Sequence, residues 1–334
     1  MNRIAVLALI AGLIGAVALV VGFGASAIAA AIASLGWLGF FGLCLAHAPI
    51  ATLLGIAWRV CLRPAAAASS LGMIAARVLR DAGAEVLPFS EIGGFVIGAR
   101  AAMLAGVSGA EAAASTLIDL TTEAVAQLAF IALGLLALET IQPGAAIIRP
   151  ALLGLLAVAG SIGLLAFFFF RRSQWLSRLV RAGAERWLAA FGEMGNALDA
   201  LREIAARPRA LAASFALHFA AWLGVALEAW LALRLIGAPI SLAGAVAMES
   251  LLFASRSLAF FAPNAWGVQE GAYALLAPLI GLSPADALAL SLIKRARDLV
   301  IGAPALLIWE RFEAARLLRR KSDNLREARP LERE

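Results

Sequence analysis

The apolar run 113–138 carries Asp119, Glu123 and Gln127 at i, i+4 and i+8, one face of a helix. A second apolar run, 286–309, carries Lys294, Arg295, Arg297 and Asp298, and residues 249–273 hold another polar group. There Glu249 and Arg256 stand seven apart with Ser250 and Ser257 beside them, and Glu270 and Tyr273 stand three apart, near Asn264 and Gln269. Ionisable groups inside apolar segments are costly and therefore mark function by default, each in need of a partner. Lys294 and Asp298 can pair within their own helix, and Asp119 and Glu123 are candidate partners for Arg295 and Arg297. This chemistry suits binding or gating of a charged head group, with Asp119 and Glu123 as the acids for proton coupling; bracing of a helix bundle is the alternative. His47, and His218 with Glu228, lie in two further apolar runs. Two separated histidines fall short of a metal set, and a hydrogen-bonded structural role is expected for them. No Gly-rich phosphate loop ends in Lys-Ser/Thr, and Gly24-Ala25-Ser26 lacks the surroundings of a nucleophile elbow. The expectation is no catalytic residue, no metal and no cofactor.

The elements that must position these groups are membrane helices. The chain has 334 residues, of which 63% are hydrophobic and 15% charged, with a mean hydropathy of +0.90. A soluble domain is about half apolar and a quarter charged, so a soluble enzyme is excluded. The net charge of +6 is clustered at the ends of apolar segments, which argues against nucleic-acid binding. Cys44 and Cys61 read as packing thiols. Apolar runs long enough to span are Ile4–Phe23, Leu35–Trp58, Ala113–Leu138, Ala151–Phe170, Leu211–Leu233 and Asp286–Trp309, the first read as an uncleaved helix. Basic residues after the second span (Arg59, Arg63, Arg77, Arg80), through 171–209 and after the last span put both termini in the cytoplasm. Three apolar stretches lie between the first two of these basic regions, so the segment around 71–106 must enter and leave on one side. The same parity applies to 242–282; each segment is a re-entrant hairpin or a pair of thin crossings, which parity does not distinguish, and Arg77, Arg80, Asp81 and Glu85 favour a hairpin in the first. Segment 171–209 reads as an amphipathic cytoplasmic helix, and 311–334 as a charged cytoplasmic tail on a membrane domain of 1–310.

The chain also resembles itself at an offset of 175 residues (88 to 263). Pro88 falls on Pro263, Gly106-Val107-Ser108 on Gly281-Leu282-Ser283, Ala110-Glu111-Ala112 on Ala285-Asp286-Ala287, and Glu123 on Asp298. Parity makes the copies, about 71–138 and 242–309, run in opposite directions, so the expected fold class is an all-α polytopic membrane protein with six full spans and an inverted repeat of two hairpins. Such repeats place sites near the membrane midplane. Pro88 and Pro263 are expected at the hairpin tips, opening helices whose free N–H groups favour an anion.

Leu87-Pro88-Phe89-Ser90-Glu91-Ile92-Gly93-Gly94 and Pro263-Asn264-Ala265-Trp266-Gly267-Val268-Gln269-Glu270 resemble the paired motifs of the flippase-like family, which shares the membrane region of lysylphosphatidylglycerol synthetases. The second copy has the family's Pro, Gly-Val and Glu at Pro263, Gly267, Val268 and Glu270, spaced Pro-x-x-x-Gly-Val-x-Glu, with Arg295 as its downstream basic residue. The first, continuing to Gly98-Ala99-Arg100, looks most like the branch found beside hopanoid biosynthesis genes; Glu91 and Arg100 stand for its acidic and basic pair at an unusual spacing. The resemblance implies lipid translocation or binding in the bacterial inner membrane, with a hopanoid or an anionic phospholipid as partner. The synthetases' aminoacyl-transfer domain has no counterpart in this sequence, so no enzyme activity is expected. Two other readings stay open: a non-catalytic scaffold for lipid-biosynthesis enzymes, and a membrane-embedded head-group transferase.

Overall fold

The computed structural model describes residues 14–15, 17–64, 66, 68–86, 90–170, 194–258 and 265–327, and no strand occurs among them. Ten helices follow in order: α1 (Ala25–Cys61), α2 (Ser70–Val86), α3 (Ser90–Leu104), α4 (Gly109–Ile141), α5 (Ile148–Phe170), α6 (Met194–Ala205), α7 (Pro208–Leu235), α8 (Leu242–Leu258), α9 (Val268–Leu276) and α10 (Pro284–Glu327). A 3₁₀ turn, Ala277–Ile280, follows α9. Helices α1, α4 and α7 are long and apolar enough to cross a membrane. The expected spans 35–58, 113–138, 151–170, 211–233 and 286–309 all fall within helices, while most of 4–23 and the hairpin tips at Pro88, Pro263 and Asn264 lie outside the described residues. Helix α1 bends at Gly36, whose φ of 61° and ψ of 169° suit glycine alone.

Helices α2 and α3 pack antiparallel as a tight hairpin. A methyl group added at Gly94 would lie 2.4 Å from the Arg80 carbonyl oxygen, one at Gly98 2.6 Å from the Arg80 Cβ, and one at Gly72 2.9 Å from the Ala105 Cβ. Small residues along the seam let two backbones approach where lipid tails give no hydrophobic drive for association. The second segment also turns back, through α8 and α9, and its α8 leans on α4, where a methyl at Gly134 would overlap Ser250.

The same backbone bonds recur at the exits of the two hairpins. Val107 N–H donates to the Ala102 carbonyl and Leu282 N–H to the Ala277 carbonyl; Gly106 N–H reaches Met103 and Gly281 N–H reaches Pro278. Both glycines have positive φ, 101° and 73°, as a helix-ending turn requires. Ser108 Oγ then accepts from Glu111 N–H at 3.3 Å, and Ser283 Oγ accepts from Asp286 N–H at 3.1 Å, so each hairpin hands over to a long helix through the same serine cap.

Of the segment 171–209, residues 171–193 lie outside the described residues. The described part contains α6, with Ala200 and Ile204 packed against Cys61 and Ala114. Helix α10 continues without a break past the expected boundary at 310, and its Glu313 is bonded to Arg100.

Candidate functional site

Among the described residues, the buried cations fall in four ionic clusters between the helices. The largest joins α2 to α4. Asp119, fully buried, accepts from Arg80 at 2.6 Å and Arg77 at 3.4 Å. Glu123 accepts from Arg77 at 2.7 Å and from Arg80 at 2.6 Å. Arg77 reaches Asp81 one turn along its own helix, at 2.9 Å. The two guanidiniums thus fork across two carboxylates, the geometry that suits arginine best. Arg80 also lies over the Phe95 ring, and His218 Nε2 stands 3.0 Å from Asp119. Asp119, Glu123 and His218 bring ligand atoms within 4.8 Å of one another. A metal ion in their midst would face two buried guanidiniums already bonded to the same carboxylates, and the donor set therefore does not suit a cation.

The remaining three clusters involve α10. Lys294 donates to Glu249 at 2.6 Å, and Glu249 also accepts from the Tyr273 hydroxyl at 2.6 Å. Arg295 donates to Glu270 at 2.6 Å while stacked 4.0 Å over the Trp266 ring. Glu270 closes the turn before α9 by accepting from Gly267 N–H. Gln269 bridges Ser291 and Arg256, and Arg256 crosses to the first hairpin, donating to Glu85 at 2.6 Å. Arg297 donates to Glu228 and, at 2.6 Å, to its neighbour Asp298; the other oxygen of Glu228 accepts from His47 at 2.9 Å. Glu249, Glu270, Tyr273, Lys294, Arg295 and Arg297 are all buried.

Most of the sequence-derived candidates are therefore gathered in these clusters, with other partners than expected. Asp119 and Glu123 bond Arg77 and Arg80, not Arg295 and Arg297. Lys294 takes Glu249, and Asp298 takes Arg297. Arg100 is paired with Glu313 at the edge of the bundle. Pro88, Pro263 and Asn264 lie outside the described residues, as does the side chain of Glu91. The residues missed as partners are Arg77 and Arg80. They are 4% and 3% exposed, although the charge count treats them as cytoplasmic. Their three-residue spacing, matching the face of Asp119 and Glu123, was the available signal.

The family model described as "Lysylphosphatidylglycerol synthase TM region" matches residues 3–305. No curated protein and no solved structure matches the chain. With nearly all of the helical bundle covered by that model, the chain belongs to the lysylphosphatidylglycerol synthase TM region family.

Proposed function

We propose that the protein is a lipid transporter of the bacterial inner membrane, holding the head group of an anionic or amphiphilic lipid between its two hairpins and passing it between leaflets. The observation that supports this reading is a set of buried cations, Arg77, Arg80, Lys294, Arg295 and Arg297, each held by a carboxylate. Most of those carboxylates belong to a different helix. Such pairs are poor devices for stability alone, because burying two charges costs about as much as their attraction returns. They are well suited to exchange: when a hairpin moves, a lipid phosphate can take the place of a carboxylate on the same guanidinium. The family's membrane region is lipid-related, and the first motif's resemblance favours a hopanoid as cargo, with an anionic phospholipid as the other candidate.

In this reading six helices cross the bilayer, both termini are cytoplasmic, and the hairpins enter from opposite faces as an inverted repeat. No bond in the lipid is made or broken, and the transport is downhill or ion-coupled. The test is reconstitution in liposomes carrying labelled phosphatidylglycerol or a labelled hopanoid in one leaflet. The expected result is redistribution faster than in protein-free liposomes, and slower again with charge reversals at Glu270, Arg256 and Arg297. Absence of both binding and redistribution for every lipid contradicts the proposal. Intact activity in those variants, with loss on altering the 171–209 surface, points instead to a scaffold; a modified lipid formed in detergent points to a transferase.

A further inference from the structure

The four clusters differ in their charge balance. Lys294 and Glu249 make one of each sign, and Arg256 and Arg295 match Glu85 and Glu270. The α2/α4 cluster has three carboxylates (Asp81, Asp119, Glu123) against two guanidiniums. The cluster on α7 and α10 has two carboxylates (Glu228, Asp298) against one guanidinium, that of Arg297. The chain contains two histidines, and each sits in one of these two clusters: His218 on Asp119 and His47 on Glu228; a further surplus of acid, Glu111 and Glu203 against the partly exposed Arg63, has no histidine. The balanced clusters contain none.

The histidines differ in access. His218 is fully enclosed. His47 lines a small cleft between α1, α2 and α10, together with Asp81, Glu85 and Asp298. The half-exposed acids of the two histidine-bearing clusters, Asp81 and Asp298, face this one cleft, which is therefore negative and draws cations toward its wall. The charged and titratable groups around His47 are Glu228 on α7, Arg297 and Asp298 on α10, Asp81 and Glu85 on α2, and Cys44 on its own helix.

We propose that His47 is the uptake site for a coupling proton, entered from this cleft. This rests on the transport reading above. The imidazole Nδ1–H remains on Glu228 while Nε2 takes a proton from water in the cleft. The positive charge so formed offsets the surplus acid of its cluster, and its gain or loss alters how firmly α7, α10 and α1 are held together.

The test uses the purified full-length chain with ¹⁵N-labelled histidine, in micelles. Two imidazoles are to be resolved, and His218→Gln assigns them. The expected result is that the His47 signal changes from the neutral to the imidazolium form as pH is lowered over the range in which the protein stays folded, and that Glu228→Gln displaces this change. A His47 signal that keeps one form across that range, or that ignores Glu228→Gln, overturns the proposal. In liposomes an imposed pH gradient is expected to change the rate of lipid redistribution in the wild type but not in His47→Lys, where a fixed charge replaces a titrating one. A wild-type gradient response in His47→Lys overturns it equally. If no lipid moves in any liposome, the transport reading fails, and the imidazole spectra still decide the proton site.

Discussion

In the ion pairs between each hairpin and its own long helix, the first hairpin supplies the cations and α4 the acids, whereas the second hairpin supplies the acids and α10 the cations. Arg77 and Arg80 reach from α2 to Asp119 and Glu123; Glu249 and Glu270 reach from α8 and α9 to Lys294 and Arg295. At the repeat offset, Asp119 is matched by Lys294, of opposite sign, and Glu123 by Asp298, of the same sign. The turn, the positive-φ glycine and the serine cap recur in both halves, while the sign differs at the first of these two positions and is the same at the second. Backbone geometry constrains residue type position by position, but a buried ion pair asks only for an opposite partner. The sign within each half is therefore free so long as both members change.

Four sets of changes test that comparison. Asp119→Ala leaves two arginines buried on Glu123, and the expected loss is about 3–5 kcal/mol in unfolding measured in micelles. Lys294→Ala is expected to cost less, because Tyr273 still donates to Glu249. Pairing Asp119→Leu with Arg80→Met should cost less than Asp119→Leu alone; a larger loss would show that the cluster is not held by opposition of charge. The hairpin seam comes next. Gly94→Ala should destabilise by about 1–3 kcal/mol, while Gly93→Ala, with open space around it, should leave the melting temperature unchanged. Between the halves, a double-mutant cycle on Glu85→Gln and Arg256→Gln should give a coupling of about 1 kcal/mol or less, since both groups are partly exposed. Smallest and most alike should be Ser108→Ala and Ser283→Ala, at about 1 kcal/mol each; clearly unequal losses would separate the two copies.

The helices and the repeat could be read directly from the chain because apolar runs and Gly-x-Ser turns report on local backbone chemistry. The polar residues of the site could be picked out for the same reason: a charge in an apolar run is conspicuous. Their partners could not. Arg77 and Arg80 lie in a segment polar enough to read as membrane surface, and only the packing of α2 against α1, α3 and α10, with both side chains reaching α4, shows that both are buried. Arg100 was chosen by motif, yet it faces Glu313, far along the chain, on a helix that reads as a solvated tail. Pairing across helices depends on packing depth, which hydropathy along a single segment does not encode.

The central claim, that lipid passes between the two hairpins, is tested most directly by tying them together. In a background of Cys44→Ser and Cys61→Ser, Glu85→Cys and Arg256→Cys are joined by a short cleavable thiol cross-linker and the protein is reconstituted with labelled lipid. The account predicts that cross-linking stops redistribution and that cleaving the linker restores it to the rate of the uncross-linked double variant. Redistribution at that same rate while the linker is intact would contradict it.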